Sequence, residues 1–426
     1  MTISQIHQLF LESTGVCTDT RKIKPNTIFF ALKGDNFNGN LYAKKAIELG
    51  ASYAIIDEID FKESEKYIVV DNVLKTLQNL ASYHRKYLGT PIIALTGSNG
   101  KTTTKELINS VLSSGYNTTA TVGNLNNHIG VPLTLLSMTK DTEIGIVEMG
   151  ANHIGEIDFL CSIATPDYGY ITNIGKAHLE GFGSIEGVFQ GKTELYKHLR
   201  KYNKLVFLNL DEKQLADASI GINSYSFSQS NINGNTIVEL TDVNPNVTIT
   251  FNELAIHSNL IGKYNYTNIA AAITIGDYFK IKPDQIKRAI ESYTSTNNRS
   301  QIIKIKQHTV ILDAYNANPT SMNAAINNFV QLNYDSKIVF LGDMFELGDE
   351  SQLEHQKVVD LISTAKIDKI YLLGDIFFNT KCEDSRINKF KSFDDLAANW
   401  KIENKNGGIL IKGSRGMQLE RIIDLL

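Results

Sequence analysis

The chain has 426 residues, 42% of them hydrophobic and 21% charged, which is the composition of a folded protein rather than a disordered one. Its length suits roughly two or three domains. The 42 lysines and arginines against 46 aspartates and glutamates leave a formal net charge of -4, without the basic excess that nucleic-acid-binding proteins usually carry. We therefore expect no nucleic-acid partner.

Cysteine usage and the N-terminal residues indicate the compartment. Cys17, Cys161 and Cys382 are far apart in sequence, which fits neither a disulfide framework nor paired metal ligands. The first residues lack the pattern of a secretion signal, and no uncharged apolar run approaches the roughly 18 residues that cross a membrane. We expect a cytoplasmic monomer with no membrane contact.

Short runs of β-branched and apolar residues recur along the chain, and a helical pattern follows each one. This alternation predicts α/β domains with mostly parallel sheets. Residues 236–260 differ, because 247–251 alternates in polarity and predicts a small antiparallel patch. The predicted buried strands are 53–56, 67–70, 92–95, 144–147, 168–171, 205–207, 310–312, 338–341, 370–373 and 409–411.

Two turn-rich segments divide the chain. Leu88-Gly89-Thr90-Pro91 separates a helical pattern from a new buried strand, and Ser295-Thr296-Asn297-Asn298 follows a predicted helix over 284–293. Each segment combines residues that end regular structure with a change of pattern on its far side. We therefore predict three domains, at 1–88, 89–296 and 297–426.

A strand, a glycine-rich turn and the start of a helix follow one another at residues 92–108. Such a turn directs several backbone N–H groups at one point, which favours an anion. Its Gly-Lys-Thr run indicates a triphosphate, with Lys101 on the β and γ phosphates and Thr102 on Mg²⁺. The loop is a shortened variant of the full phosphate-loop pattern, and the alternative is a plain helix-capping turn. The predicted nucleotide-binding residues are Gly97, Ser98, Asn99, Gly100, Lys101, Thr102 and Thr103.

Two residues at strand ends are candidate ligands for the metal ion that accompanies a triphosphate. Glu148 directly follows the run 144–147, and His178 comes soon after the run 168–171. The carboxyl ends of parallel strands meet at one edge of a sheet, and Mg²⁺ prefers oxygen ligands. A lone histidine is more often packed or solvated, but its position near Glu148 favours a metal site that also includes Thr102.

Several motifs, in the same order along the chain, resemble those of the Mur ligases, which are ATP-dependent enzymes that form amide bonds in peptidoglycan assembly. The motifs are Thr-Gly-Ser-Asn-Gly-Lys-Thr at 96–102, Glu-Met-Gly at 148–150, Thr-Asn-Ile-Gly-Lys-Ala-His-Leu-Glu at 172–180, Gly-Lys-Thr-Glu-Leu at 191–195 and Asp-Ala-Tyr-Asn-Ala-Asn-Pro at 313–319. Two further runs, at 124–132 and 341–348, resemble family members that add D-alanyl-D-alanine.

The resemblance implies a three-domain α/β fold. An N-terminal domain would bind the UDP substrate, a central phosphate-loop domain would bind ATP, and a C-terminal Rossmann-like domain would complete the ligase site. The implied substrates are UDP-N-acetylmuramoyl tripeptide and D-alanyl-D-alanine, joined through an acyl phosphate, and the implied cofactors are ATP and two Mg²⁺ ions. Because the third domain would have to swing inward, we expect an open arrangement without substrates.

The resemblance also implies roles for individual residues. Lys192, which on sequence alone would be a surface lysine, corresponds to a lysine that is carbamylated in many family members and helps to hold a second Mg²⁺. Asn268 corresponds to an adenine-contacting asparagine, and Arg299 and Asp313 to residues that reach the ATP phosphates and ribose. The implied catalytic residues are Lys101, His178, Lys192 and Arg299, and the implied metal ligands are Thr102, Glu148, His178 and Lys192.

Substrate contacts are implied in all three domains. The motifs of the first domain differ from the usual family forms, because Thr-Asp-Thr-Arg at 18–21 replaces Ser-Asp-Ser-Arg and Asn-Gly-Asn at 38–40 replaces Asp-Gly-His. Without the resemblance these segments would be turns between strands. The implied substrate-binding residues are Thr18, Asp19, Arg21, Asn38, Asn126, Asn127, Tyr315, Asn316 and Asn318.

Three other functions are compatible with a phosphate loop. A Mur ligase that adds an amino acid, or a ligase like folylpolyglutamate synthase, would share the ATP residues, but the run at 313–319 argues against both. A non-enzymatic nucleotide switch would not need a UDP-sugar domain. A phosphotransferase would transfer phosphate without forming an amide.

Overall fold

The structure is a computed structural model that describes residues 1–230, 232–399 and 407–426. Its N-terminal part comprises α1 (Ile3–Glu12), β1 (Val16–Cys17), β2 (Ile28–Phe30), β3 (Lys33–Gly34), β4 (Phe37–Asn38), α2 (Ala43–Glu48), β5 (Tyr53–Ile56), β6 (Tyr67–Val69) and α3 (Val73–Leu88). The main sheet is parallel in the order β1-β2-β5-β6, and β3 and β4 form a separate small hairpin.

All three residues of strand β2 are buried. Since successive side chains of a strand point to opposite sides, both faces of β2 are covered. Phe30 lies in one apolar cluster with Leu77 of α3, and Phe29 lies in another with Ala46 of α2. Helix α3 begins at the side-chain cap of Asn72 and ends before a glycine in the left-handed conformation. Two helices therefore cover the two faces of this sheet.

The central part comprises β7 (Ile92–Thr96), α4 (Lys101–Leu112), β8 (Thr118–Ala120), α5 (Gly130–Leu136), β9 (Ile144–Glu148), α6 (Glu156–Ala164), β10 (Tyr168–Ile171), α7 (Leu179–Phe182), α8 (Ile185–Lys192), α9 (Glu194–Lys201), β11 (Leu205–Asn209), α10 (Lys213–Ala218), β12 (Asn223–Ser228), β13 (Thr236–Ile237), β14 (Glu239–Asp242), β15 (Asn246–Phe251), β16 (Leu254–Ile261), α11 (Tyr264–Tyr278) and α12 (Pro283–Ser292). Its main sheet is parallel in the order β13-β12-β11-β10-β7-β9-β8.

Strand β7 lies inside this sheet, and every one of its residues is buried. Ile93 and Leu95 share an apolar cluster with Leu107 of α4, whereas Ile92 and Ala94 belong to the cluster on the other face. Strand β7 pairs with β10 on one side and β9 on the other. The carboxyl ends of all three strands therefore meet at the turn that leads into α4, which is where a ligand site is expected in such a sheet.

The third part comprises β17 (Gln301–Ile305), β18 (His308–Asp313), α13 (Pro319–Gln331), β19 (Lys337–Gly342), α14 (Ser351–Thr364), β20 (Lys369–Leu373), α15 (Asp375–Phe378), β21 (Ile387–Phe390), α16 (Phe393–Asn399) and β22 (Gly407–Lys412). Its sheet has the order β17-β18-β22-β19-β20-β21, with β17 antiparallel to β18 and the other pairs parallel. Strand β22, which is entirely buried, lies inside the sheet.

The predicted fold class is confirmed, and each predicted buried run coincides with a strand. The predicted antiparallel patch is formed by β14, β15 and β16. Residues 236–237 differ from that prediction, because β13 pairs in parallel with β12 and so extends the main sheet. Within the described residues, no helix is both long enough and apolar enough to span a bilayer.

Ion pairs and hydrogen bonds join the three parts. Arg85 of α3 contacts Asp167 before β10, with 2.7 Å between Nη2 and Oδ2. Lys176, after β10, contacts Glu354 of α14, with 2.8 Å between Nζ and Oε1. The third part therefore contacts the central part directly in this structure, and the open arrangement expected without substrates stays a prediction.

Candidate active site

The turn between β7 and α4 has the conformation of a phosphate loop. Gly97 and Gly100 have φ angles of 141° and 80°, which residues other than glycine rarely adopt. A Cβ atom at Gly100 would lie 2.5 Å from Oδ1 of Asn268. Lys101, the first residue of α4, folds back and donates from Nζ to the carbonyl oxygen of Gly97 at 2.7 Å. The loop thus has its backbone and its lysine arranged around one point at a helix N-terminus, as anion sites require.

A cavity of about 900 Å³ opens over this loop and is lined by the central and third parts of the chain. Most of the predicted site residues line it, which confirms that the fold brings these distant motifs together. The predicted residues along its wall are Ser98, Asn99, Gly100, Lys101, Thr102, Thr103, Asn126, Asn127, Glu148, His178, Asn268, Arg299, Asp313, Tyr315, Asn316 and Asn318. Those that do not line it are Thr18, Asp19, Arg21, Asn38, Gly97 and Lys192.

The surroundings of Lys101 affect its pKa. Its pKa is lowered, first by burial and then by the nearby Arg299 guanidinium, while the Glu148 carboxylate acts in the opposite direction. Lys101 is half-buried, and its Nζ contacts the carbonyl oxygens of Gly97 and Ser98, and these contacts can be exchanged for the oxygens of a bound anion.

Glu148, the last residue of β9, is buried with one unsatisfied oxygen. Its Oε1 accepts a hydrogen bond from Nδ2 of Asn126 at 2.8 Å, and its backbone N–H donates to Oγ1 of Thr121. Its Oε2 is buried without a hydrogen-bond partner among the described residues. A buried carboxylate oxygen with no partner is costly, so this side chain fits a bound cation.

The described residues contain no group of three or more His, Cys, Asp and Glu side chains arranged to hold a metal ion. A metal ion beside Glu148 would therefore need further oxygen ligands. The hydroxyl of Thr102, which is buried at the start of α4, and the oxygen atoms of a bound phosphate are suitable ligands.

His178 has a partner that we did not predict. Its ring Nδ1 is hydrogen-bonded to Oε2 of Glu346, in the loop between β19 and α14. Both residues have left-handed backbone conformations, with φ of 53° for His178 and 62° for Glu346. A role for His178 as a metal ligand stays a prediction.

Lys192, at the end of α8, is fully buried, so the expectation of a surface lysine was wrong. The tertiary packing of α8 places its Nζ 5.0 Å from the ring centroid of Phe182 and 2.9 Å from the carbonyl oxygen of Ala151, which lines the cavity. Burial, followed by repulsion from Lys101, lowers the Lys192 pKa well below its usual value. The amine is therefore driven toward its neutral form.

Three predicted nucleotide residues already have partners. Asn268, in α11, accepts from Oγ1 of Thr104 at 3.0 Å and donates to Oδ1 of Asn265 at 2.8 Å. The guanidinium of Arg299 lies 3.7 Å from the centroid of the Tyr315 ring. Asp313, at the end of β18, accepts from Nζ of Lys412 at 2.6 Å. These contacts hold the side chains in place at the cavity wall.

The predicted third-part substrate residues lie in the turn between β18 and α13. Asn318 starts α13 as its side-chain cap and also donates from Nδ2 to Oδ1 of Asn99 at 2.8 Å. The Oδ1 atom of Asn316 accepts from the next backbone N–H, that of Ala317. In the central part, the Oδ1 atom of Asn127 accepts from the N–H groups of Ile129 and Gly130, just where α5 begins. Contact of Asn127, Tyr315, Asn316 and Asn318 with substrate stays a prediction.

The predicted residues of the first part lie away from the cavity. Arg21 pairs with Asp19, with 2.8 Å between Nη2 and Oδ2, and this contact lowers the Asp19 pKa to about 2. Asn38 donates to Glu58 at 3.1 Å and accepts from the backbone of Asn40. The sequence alone would make these segments turns between strands, whereas Asn38 ends β4 and residues 20–22 and 39–42 form short 3-10 helices. Their contact with UDP stays a prediction.

Sequence comparison relates the whole chain to one family. Models described as the Mur ligase family catalytic domain, the Mur ligase middle domain and the Mur ligase glutamate ligase domain match residues 12–93, 95–276 and 298–415. The UDP-N-acetylmuramoyl-tripeptide--D-alanyl-D-alanine ligase of Bacillus subtilis (strain 168) is 38% identical over 422 residues, which cover 96% of this chain and 92% of that protein. The chain belongs to the Mur ligase family. The predicted family resemblance is thus confirmed.

Solved structures agree with this assignment. A crystal structure of MurF from Acinetobacter baumannii matches this Mur ligase with a TM-score of 0.87 and 29% identity, covering 100% of this chain and 98% of that one. A crystal structure of MurF ligase from Thermotoga maritima in complex with ADP matches with a TM-score of 0.84 and 25% identity, covering 98% of this chain and 97% of that one. Both extend over all three parts of the fold.

Several residues at the site of this Mur ligase have no counterpart among the predicted site residues. Lys412, at the end of β22, is buried, lines the cavity and bonds Asp313. A polar residue at the end of a buried run is the same signal that identified Glu148, so it could have been found. Glu346 and Asn173 lie inside quoted motifs, but their contacts, with His178 and with the backbone N–H of Asn99, depend on tertiary structure.

Proposed function

We propose that this Mur ligase uses ATP to join D-alanyl-D-alanine to UDP-N-acetylmuramoyl tripeptide. The observation that carries the proposal is the cavity in which the phosphate loop faces side chains of the third part of the chain. The 38% identity to the Bacillus subtilis enzyme supports the choice of substrates, and the ADP complex of the similar Thermotoga maritima MurF supports the choice of nucleotide.

The reaction has two steps. The terminal carboxylate of the tripeptide attacks the γ-phosphorus of ATP, and the bond to the β–γ bridging oxygen breaks, so an acyl phosphate forms and ADP leaves. The amine of D-alanyl-D-alanine then attacks the acyl carbon, loses a proton, and phosphate departs with the electrons of the carbon–oxygen bond. Both steps bring nucleophiles to a centre surrounded by negative charge, so the site must supply cations.

Lys101 and Arg299 are the cations of this chain that we assign to the transferring phosphoryl group. Lys101 would exchange its bond to the Gly97 carbonyl oxygen for phosphate oxygens, and the loop N–H groups would bind the same phosphates. The guanidinium of Arg299 lies over the ring of Tyr315, and Arg299 lines the cavity from the third part. Closure of the third part would exclude water and protect the acyl phosphate from hydrolysis.

The residues near Glu148 fit magnesium. The unpartnered Oε2 of Glu148 and the hydroxyl of Thr102 are hard oxygen donors, and His178 lines the same cavity. Bound Mg²⁺ would neutralise phosphate charge and orient the γ-phosphoryl group. We assign Thr102, Glu148 and His178, with a modified Lys192, to hold the two ions.

Carbamylation of Lys192 would convert a buried amine into a buried carboxylate. The reaction requires a neutral amine, and burial favours that form of Lys192. The Nζ atom lies 2.9 Å from the Ala151 carbonyl oxygen at the cavity wall, so a carbamate there would be near the metal-binding edge. Carbon dioxide adds to nitrogen and a proton leaves, which gives the anion that a second cation would stabilise.

We assign residues 1–88, 89–296 and 297–426 to UDP-substrate binding, ATP binding and completion of the ligase site. Gly89, with φ of 66°, ends α3 at the first boundary, and Asn297 and Asn298, with φ of 64° and 56°, form the turn at the second. Thr18, Asp19, Arg21 and Asn38 would contact the UDP substrate. We propose a cytoplasmic location, since Cys17, Cys161 and Cys382 are all free thiols.

A substrate panel with phosphate release as its readout tests the function. We expect release only when ATP, UDP-N-acetylmuramoyl tripeptide and D-alanyl-D-alanine are all present, and the ligated pentapeptide product in a mass spectrum. Lys101→Ala, which should release no phosphate in any mixture, controls for contaminating phosphatase. Product with a free amino acid as acceptor would indicate an amino-acid-adding ligase, and phosphate release without amide product would indicate a phosphotransferase.

A further inference from the structure

The contact between His178 and Glu346 crosses the boundary between the ATP-binding part and the third part of the chain. His178 precedes α7 and lines the cavity, and Glu346 lies in the loop between β19 and α14 and lines the same cavity. The side chain of His178 is 19% exposed and that of Glu346 is 50% exposed. The histidine is therefore mostly enclosed, and its carboxylate partner reaches it from the other part of the molecule.

The bond determines which nitrogen of His178 carries a proton. A carboxylate oxygen can only accept, so Nδ1 of His178 must be the donor in its bond to Glu346. Whenever the ring is neutral, its lone pair is therefore on Nε2, which makes no hydrogen bond within the described residues. Without an acceptor at Nδ1, the proton could occupy either nitrogen. A histidine that binds a metal through one ring nitrogen commonly donates a hydrogen bond from the other nitrogen to a carboxylate, and this bond fixes the tautomer.

The loop that carries Glu346 is fixed independently of this contact. The N–H of Met344 donates to Nε2 of His355 at 2.9 Å, and the N–H of Phe345 donates to Oγ of Ser414 at 2.9 Å. The two residues before Glu346 are thus held by their own part of the fold. The carbonyl oxygen of Glu346 accepts from the N–H of Glu180 in α7 at 3.2 Å, which is a further contact across the boundary, and the carboxylate reaches His178 only when the two parts are in contact.

We propose that Glu346 is a positioning residue that makes the metal-binding tautomer of His178 depend on closure of the third part. In the closed arrangement Glu346 holds the proton on Nδ1 and leaves Nε2 available for a metal ion. In an open arrangement the constraint is absent and the site binds metal more weakly. This inference rests on the proposed function, because it needs the metal site beside Glu148.

A second ion pair across the same boundary supplies a matched control. Lys176 lies two residues before His178 and contacts Glu354 of the third part, with 2.8 Å between Nζ and Oε1. Lys176→Ala removes an interdomain contact without removing the acceptor at His178. If Glu346 only helped to hold the two parts together, Glu346→Ala and Lys176→Ala would have the same effects.

The first measurement is the affinity for Mn²⁺, added with ADP and followed by electron paramagnetic resonance. We expect Glu346→Ala to weaken Mn²⁺ binding about tenfold or more, as loss of a ligand's hydrogen-bond partner does. Glu346→Gln, whose amide oxygen can still accept from Nδ1, should lie closer to the unsubstituted protein. Lys176→Ala should stay within about twofold of it.

The second measurement is the ¹⁵N spectrum of histidine-labelled protein with ADP and Mg²⁺. The His178 signals are identified by their loss in His178→Gln. We expect the Nδ1-protonated form in the unsubstituted protein and in Lys176→Ala, and a mixture of tautomers in Glu346→Ala. Equal Mn²⁺ affinities for Glu346→Ala and Lys176→Ala, or an unchanged tautomer in Glu346→Ala, would overturn the inference.

Glu148→Gln separates failure of the inference from failure of the proposed function. If Glu148→Gln weakens Mn²⁺ binding and Glu346→Ala does not, the metal site stands and the role of Glu346 is wrong. If neither substitution weakens binding, the metal site itself is wrong and both proposals fail. Far-ultraviolet circular dichroism of each variant confirms that it is folded before binding is compared.

Discussion

Asn318 joins the third part of the chain directly to the phosphate loop through Asn99. Its Nδ2 donates to Oδ1 of Asn99 at 2.8 Å, while its own Oδ1 accepts from the backbone N–H of Ser321 at 2.9 Å and so caps α13. One amide side chain therefore starts a helix and links that helix to the nucleotide site. The donor and the acceptor of this side chain can be removed separately by substitution.

Asn318→Asp should keep the helix cap and lose the interdomain bond, because aspartate also caps helices but has no amide donor to offer Asn99. Asn318→Ala loses both contacts, and we expect it to lower the free energy of unfolding by about 1 kcal/mol. Chemical denaturation measures stability, and small-angle scattering measures closure. Both variants should shift scattering toward a more open form, and equal destabilisation by the two would contradict the division of roles.

Gly100→Ala should disturb the phosphate loop in two ways, through its left-handed backbone conformation and through a steric clash with Asn268. The new Cβ would lie 2.5 Å from Oδ1 of Asn268, and φ at this position is 80°. Gly89→Ala is the control, because Gly89 has φ of 66° and nothing within 4 Å of its Cβ position. We expect Gly89→Ala to cost roughly 1–2 kcal/mol with normal ATP binding, and Gly100→Ala to weaken ATP binding in calorimetry. Equal ATP affinities would count against this geometry.

Lys192→Ala should be nearly inactive if a carbamate is required, and short carboxylates such as acetate should restore part of the activity. The added anion would occupy the space of the missing one beside the metal. Lys197→Ala, at an exposed lysine of α9, is the control and should keep its activity without any response to acetate. The protein should also show a carbamate signal in ¹³C spectra with labelled carbon dioxide. Full activity of Lys192→Ala would end the carbamate proposal.

A buried histidine pair should make stability depend on pH. Nε2 of His84 lies 2.9 Å from the carbonyl oxygen of Met138 and must donate to it, so Nδ1 of His84 accepts from Nε2 of His7 at 3.0 Å. Burial lowers the pKa of both rings below the ordinary value of 6.5, and His84 further lowers the pKa of His7. The pair is surrounded by Phe10, Tyr83 and Tyr87, with Lys140 over the Tyr87 ring.

The two histidines are protonated at a higher pH in the unfolded chain than in the folded protein, because their folded pKa values are lowered. The free energy of unfolding should therefore fall as the pH drops below 6.5 toward the folded pKa values. His84→Gln should cost about 1 kcal/mol near neutral pH and reduce this dependence. Denaturant titrations at about pH 7.5 and about pH 5.5 measure both effects. The exposed His257→Gln is the control, and the same pH dependence in His84→Gln and the unsubstituted protein would disprove the assignment.

The architecture of this Mur ligase was accessible from the sequence because its signals are local. Apolar runs of strand length, glycine turns and helical periodicity identified the strands around the nucleotide site, and Glu148 was found at the end of one of them. The phosphate loop was recognisable for the same reason, since a strand, a turn and a helix start adjoin within residues 92–108. Motif resemblance supplied the family and the roles of residues that have no local signal.

Tertiary structure alone decided which side chains meet. His178 and Glu346 are 168 positions apart, Asn99 and Asn318 are 219 apart, and neither pair has a pattern that spacing could reveal. Lys192 was misjudged because the burial of a lysine near a helix end depends on what packs over it, here Phe182 and the Ala151 carbonyl. Periodicity and turn chemistry act within a few residues, so the sequence by itself determined the elements and the edge where the site lies. Which charge is buried, and which residue it faces, depends on how separate elements and domains pack, and only the folded structure decides that.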